Sequence, residues 1–234
     1  MPRMRILNTV ERYDFDFPPT FNSLQRKKYF YFSDTLYHMV SGLRSPAHQV
    51  GFLISCGYFL ATKKFFAANE FRAVDVEYVT QKLGLPDVLV NLHEYNDRTR
   101  QKHQQTILKY YGYQAFSSQA KAFLNEEINI MVRSQLKPCL IFWRCIDLLI
   151  REKVQLPGCF TLTDLITAVI NRRKDQLVNI IQQQLSSETK QALEALFEQT
   201  PVFGEQHPGA TSAYRLTLLK KLRSEEHTSE LQSP

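Results

Sequence analysis

The segment "NDRTRQKHQQTILKYYGYQAF", Asn96 to Phe116, holds the most regular set of chemistry-bearing side chains in the chain. On a helix, Arg98, Lys102, Gln105 and Lys109 fall at i, i+4, i+7 and i+11 and form one stripe, while Thr99, His103, Ile107 and Tyr110 or Tyr111 share the adjoining face. Cations at that spacing match the phosphates of a nucleic-acid backbone, and Arg or Gln among them can address base edges. A plain solvated helix face produces the same stripe with no ligand at all.

Three further basic clusters accompany it. "RKKYFYF" supplies Arg26, Lys27 and Lys28 next to aromatic residues, "TKKFF" supplies Lys63 and Lys64, and "NRRKDQ" supplies Arg172 and Arg173. Helical spacing places most of the aromatics in a core rather than on a stacking surface. Together the clusters offer several cationic surfaces to an extended polyanion.

Groups for catalysis do not converge. There is no phosphate-cradling glycine loop, no nucleophile elbow and no pair of histidines at metal spacing. Glu126 and Glu127 are adjacent and diverge on a helix, and Asp75 with Glu77 diverge likewise. The expectation is a protein with no catalytic residues, no metal site and no cofactor.

The chain has 234 residues, 44% hydrophobic and 12% aromatic, enough to bury a core in one large or two small domains. Its formal net charge of +6 favours an anionic partner. The last twelve residues, "RSEEHTSELQSP", carry one arginine and three glutamates, so residues 1–222 hold a balance of +8. Arg223 to Ser233 reads as the translation of a common short-read sequencing adapter, and the tail 223–234 is expected to be foreign and disordered, with the natural sequence continuing past Leu222.

Cys56, Cys139, Cys145 and Cys159 lie in apolar surroundings and form no C-x-x-C pair, as expected of reduced thiols in a cytoplasmic protein. Charges from Arg3 to Asp16 interrupt any signal peptide, and the apolar runs 50–61 and 139–150 are too short to span a bilayer.

Helix signals recur from end to end. Asn22 or Ser23 can cap "LQRKKYFYFS", Ser33 or Asp34 can cap "TLYHMVSGL", and Ser45 before Pro46 starts a helix with one apolar stripe through Val50, Leu53, Ile54 and Gly57. Gly84 and Gly112 can end two more in the left-handed conformation. A helix runs toward Pro138, the next follows Pro138 to the "LPG" break, a long one is capped by Thr161 or Thr163, and a last one ends before Pro201. Strand alternation is nearly absent. The fold class is all-α, a multi-helix DNA-binding bundle with two helical subdomains, 1–116 and 117–222.

Four stretches carry a family resemblance in order: "RSPAHQVGFLISCGYFLATKKFF", "DVEYVTQKLGL", "YNDRTRQKHQQTILKYYGYQAF" and "LLIREKVQLPGCFTLTDLI". The most specific signals are T-R-x-x-H at Thr99, Arg100 and His103, Gly112 with Tyr113, and "REKVQLPG" from Arg151 to Gly158. The chain resembles the amino-terminal region of the Tn-three-type transposases, the class II replicative transposases of bacteria, over nearly all of residues 1–222. The resemblance implies an all-helical part that binds double-stranded DNA at transposon terminal inverted repeats, with other transposase subunits as further partners and no membrane association.

In that family an Asp-Asp-Glu core lies far toward the carboxyl end. That core is not matched, so no catalytic carboxylate is carried over. Arg100 and His103 match the family pattern directly, whereas Arg98, Lys102 and Lys109 come from the helical stripe. The segment "FRAVDVEY" departs from it in having no strong basic cluster. The alternative reading is a helical protein-interaction or dimerisation module with only non-specific DNA affinity.

Overall fold

Most helices of the amino-terminal half start where a short polar side chain can hold the first free amides. The computed structural model describes residues 4–86 and 90–198. Among these the fold is all-α. Helices α1 (Thr9–Asp16), α2 (Ser23–Tyr29), α3 (Asp34–Ser41), α4 (Pro46–Thr62) and α5 (Ala73–Lys82) lead to α6 (Asp97–Tyr111). They are followed by α7 (Ser118–Arg133), α8 (Pro138–Arg151), α9 (Cys159–Gln184) and α10 (Ser187–Glu198). No extended strand accompanies them among the described residues, and Gln114 pairs with Val154 in a single isolated bridge.

The expected caps at Asn22, Ser33 and Ser45 are in place. Gly84 and Gly112 adopt φ of 64° and 68°, the left-handed region that ends a helix at low cost for glycine.

Two expectations change, at α2 and α9, and α1 is a helix that the sequence reading does not include. α2 stops at Tyr29 instead of running to Ser33, because Phe30 and Phe32 turn inward to 0% and 4% exposure. α1 forms without an apolar stripe, held by a reciprocal capping box in which Asn8 Oδ1 accepts from the Glu11 amide at 2.8 Å and Glu11 Oε2 accepts from the Asn8 amide at 2.9 Å. α9 starts at Cys159, so Thr161 and Thr163 lie inside it. Its first amide donates to Asp16 Oδ1, at 2.9 Å, across 143 positions of sequence.

The chain divides into two compact units, Met1–Asp175 and Gln176 onward. Within the first, apolar side chains gather in two clusters. One surrounds α4 and takes in Phe21, Phe30, Phe32, Val79 and Ile107. The other is built from α7, α8 and the first half of α9 and recruits Ile6 and Leu7 from the start of the chain. In the chain, residues 114–119 lead from α6 of the first cluster toward α7 of the second.

The two clusters are tied by main-chain hydrogen bonds. The Gln114 amide donates to Lys153 O and the Gln155 amide to Gln114 O, both at 2.8 Å, and the Leu156 amide donates to Lys63 O at 3.0 Å.

The centre of the first cluster is α4, in which Val50 to Phe59 are all buried. The expected single apolar stripe becomes burial on every side, since α2, α3, α5 and α6 all pack on this helix. Its glycines admit rings. A Cβ on Gly57 would lie 2.3 Å from the Phe30 ring, and one on Gly51 would lie 2.7 Å from the Tyr95 ring.

The second unit contains the end of α9 and α10. The expected last helix corresponds to α10, and the tail Arg223–Pro234 lies outside the described residues.

A candidate nucleic-acid interface on α6

Asn96 caps α6, accepting from the Thr99 amide at 3.0 Å, and Gly112 closes it. The inward face is His103, Ile107 and Leu108, which seat the helix on α4. That choice of inward face turns Arg98, Lys102, Gln105 and Lys109 outward together, and all four are exposed. From Arg98 to Lys109 the stripe covers about 16 Å at 1.5 Å per residue. The lone carboxylate of the helix, Asp97, is engaged with Arg100, whose Nη2 lies 2.9 Å from Asp97 Oδ1. Arg100 is half-buried, and its Nε has no hydrogen-bond partner.

His103 serves the interior. It is 7% exposed, its Nδ1 shares a 3.1 Å hydrogen bond with the Tyr95 hydroxyl, and its ring meets Phe52 edge-on. Burial, helped by the proximity of His48, holds its pKa down at about 4. The imidazole is therefore neutral at pH 7 and adds no positive charge to the stripe. Burial pushes the Tyr95 phenol up to about 12, so both members of the pair are uncharged.

The other basic clusters divide by environment. Lys27 and Lys28 are exposed on α2. Arg26 beside them is a clasp, with Nε donating to buried Asp75 at 2.7 Å and Nη2 to Phe21 O at 3.0 Å. Asp75 also accepts from the Tyr58 hydroxyl at 2.9 Å, so this carboxylate is spent inside the protein. Lys63 occupies the left-handed cap of α4 and donates to Leu60 O at 2.7 Å.

Lys64 is 6% exposed and donates to Phe15 O and, at 3.1 Å, to Asp16. Burial lowers its pKa, with Asp16 acting in the opposite sense. Arg172 is exposed and Arg173 half-buried on α9.

Sequence reasoning passed over Lys82. At the end of α5, its Nζ donates to Phe30 O at 2.6 Å and sits 5.7 Å from the centre of the exposed Tyr31 ring. Two residues on, Ser33 Oγ meets the Tyr110 hydroxyl at 2.8 Å. The short segment Phe30–Ser33 thus links the end of α2, with Lys28, to the end of α6, with Lys109. A lysine in the last turn of a helix was the available signal, and it reads equally well as dipole compensation.

The described residues contain no group of three or more His, Cys, Asp or Glu side chains that could hold a metal ion. Cys56, Cys145 and Cys159 are buried, and burial raises each thiol pKa, Cys145 to about 12. No described helix is long and apolar enough to cross a membrane.

Among the described residues the fold is all-helical, and α6 presents a solvent-facing cationic stripe over an aromatic core. Residues 6–169 match the family model of a domain of unknown function, DUF4158, and the chain belongs to that family.

Proposed function

We propose that this chain is a DNA-binding amino-terminal part of a Tn-three-type transposase that recognises transposon terminal inverted repeats and itself carries no strand-transfer chemistry. The observation that carries the reading is the outward alignment of Arg98, Lys102, Gln105 and Lys109 on α6, whose opposite face is anchored in the core. A rigid helix with one cationic face can meet phosphates at its flanks and place an amide at a base edge. The sequence resemblance supplies the family context, and the balance of +8 over residues 1–222 supplies long-range attraction to DNA. Lys27, Lys28 and Lys82 extend the cationic surface toward the end of α2. His103, Lys64 and Arg26 act beneath that surface by holding its supports.

Fluorescence anisotropy with a labelled terminal inverted repeat and a scrambled duplex, over about 50 to 300 mM salt, tests the proposal. Tighter binding to the repeat that persists as salt rises is the expected result. Equal binding to both duplexes that salt abolishes would reduce the stripe to a generic cationic surface.

A further inference from the structure

Between α2 and α3, three aromatic residues in a row part company. Phe30 and Phe32 are buried, whereas Tyr31 between them is 77% exposed, more than any other aromatic side chain among the described residues. The two phenylalanines fix the backbone on both sides of Tyr31 and leave its ring in water. Cations stand around it. Lys82 Nζ lies 5.7 Å from the ring centre and is held there by its bond to Phe30 O, and Lys27 and Lys28 are exposed in the last turn of α2. From Arg26 to Tyr37 the single carboxylate is Asp34, in the first turn of α3. Two residues past Tyr31, Ser33 Oγ meets the hydroxyl of Tyr110, the neighbour of Lys109, so the ring stands near the end of the α6 stripe.

We infer that Tyr31 is a stacking platform for one unpaired DNA base, with Lys28 and Lys82 taking the phosphates beside it. An aromatic ring in water flanked by ammonium groups is the combination that binds single strands, because every base has a π face and the cations follow the backbone. A base inside a duplex is already stacked on both faces, so the ring can accept only a base from a strand end or an unpaired stretch. Lys82 uses one ammonium hydrogen on Phe30 O and keeps two for a phosphate. Because that bond already orders its side chain, and the buried phenylalanines already order the backbone of Tyr31, binding loses little conformational freedom. The inference rests on the DNA-binding reading and adds a single-stranded segment to what that surface takes.

The test is fluorescence anisotropy of the full chain at about 50 mM salt with two labelled probes, an oligothymidine of about 12 nucleotides and a blunt duplex. The chain is expected to bind both. Tyr31→Ala should weaken binding of the oligothymidine by about tenfold and leave the duplex nearly unaffected. Tyr31→Phe keeps the ring without the hydroxyl and should bind the oligothymidine like the parent. Because Tyr31 is exposed, the thermal midpoint of both variants should stay close to that of the parent. Oligothymidine binding indifferent to Tyr31→Ala, or an equal loss on both probes, overturns the platform. A loss in Tyr31→Phe as large as in Tyr31→Ala overturns stacking as its basis. Binding of the duplex without binding of the oligothymidine overturns the platform and leaves the DNA-binding reading standing, whereas binding of neither probe overturns both.

Discussion

The Asp16 carboxylate lies 3.1 Å from the Lys64 ammonium while also accepting the Cys159 amide at 2.9 Å, so one side chain at the end of α1 holds the end of α4 and the start of α9. Lys64 is buried, and Asp16 is its charge partner. Removing that partner leaves an uncompensated buried cation and an uncapped helix at once.

Asp16→Ala is therefore expected to destabilise the fold by about 3 kcal/mol. Lys64→Met, which puts an apolar chain of similar length in the same space, should cost clearly less. Urea unfolding checks both. A loss below about 0.5 kcal/mol for Asp16→Ala would show that the clip contributes nothing.

His103 gives the fold an acid-sensitive component. Its pKa is held near 4 in the native state, against an ordinary value of 6.5, so the unfolded chain takes up this proton first as pH falls. The stabilisation is complete above about pH 6.5 and is lost progressively toward pH 4, amounting to up to about 3 kcal/mol. Thermal unfolding across that range should show a falling midpoint, with a shallower fall in His103→Gln. Parallel curves for the two proteins would remove His103 as the cause.

Gly57 admits the Phe30 ring into α4. Gly57→Ala would place a methyl 2.3 Å from a fully buried ring, and about 3 kcal/mol is expected to be lost to overpacking. Gly84 is the control, since nothing lies within 4 Å of its missing Cβ and only its φ of 64° resists substitution. Gly84→Ala should cost about 1 kcal/mol. Chemical denaturation of the two variants side by side should show this order, and equal losses would contradict the close packing of Phe30.

On the DNA-binding reading, each phosphate contact sets part of the salt dependence. Arg98→Ala, Lys102→Ala and Lys109→Ala should each lower the slope of log affinity against log salt by about 0.9 with little change in thermal stability. Lys64→Ala and Arg26→Ala should do the reverse. Anisotropy titrations at several salt concentrations, paired with thermal melts, separate the two groups. Salt slopes unchanged in all three α6 variants would move the interface off this helix.

Helix positions were legible in the sequence because their signals are local. Asn22, Ser33, Ser45 with Pro46, Gly84 and Gly112 act on amides and carbonyls within a few residues, and the structure uses each of them. The outward stripe of α6 was legible for the same reason, since 3.6-residue periodicity fixes which side chains share a face. The Asn8–Glu11 box was equally local and went unread because α1 buries none of its own residues.

What the tertiary structure alone decided was which cations are free and what surrounds each helix. Lys63 and Lys64 are neighbours of the same type, yet one caps α4 and the other is sealed against Phe15 and Asp16, 48 positions away. His103 and Lys102 are adjacent on a basic helix, yet one is neutral in the core and the other is in water. Periodicity marks the faces of a helix but not how many neighbours will cover them, which is why α4 reads as one apolar stripe and is buried all round. Exposure, pairing and protonation depend on groups brought close by packing across long sequence separations, and no short stretch of the chain contains them.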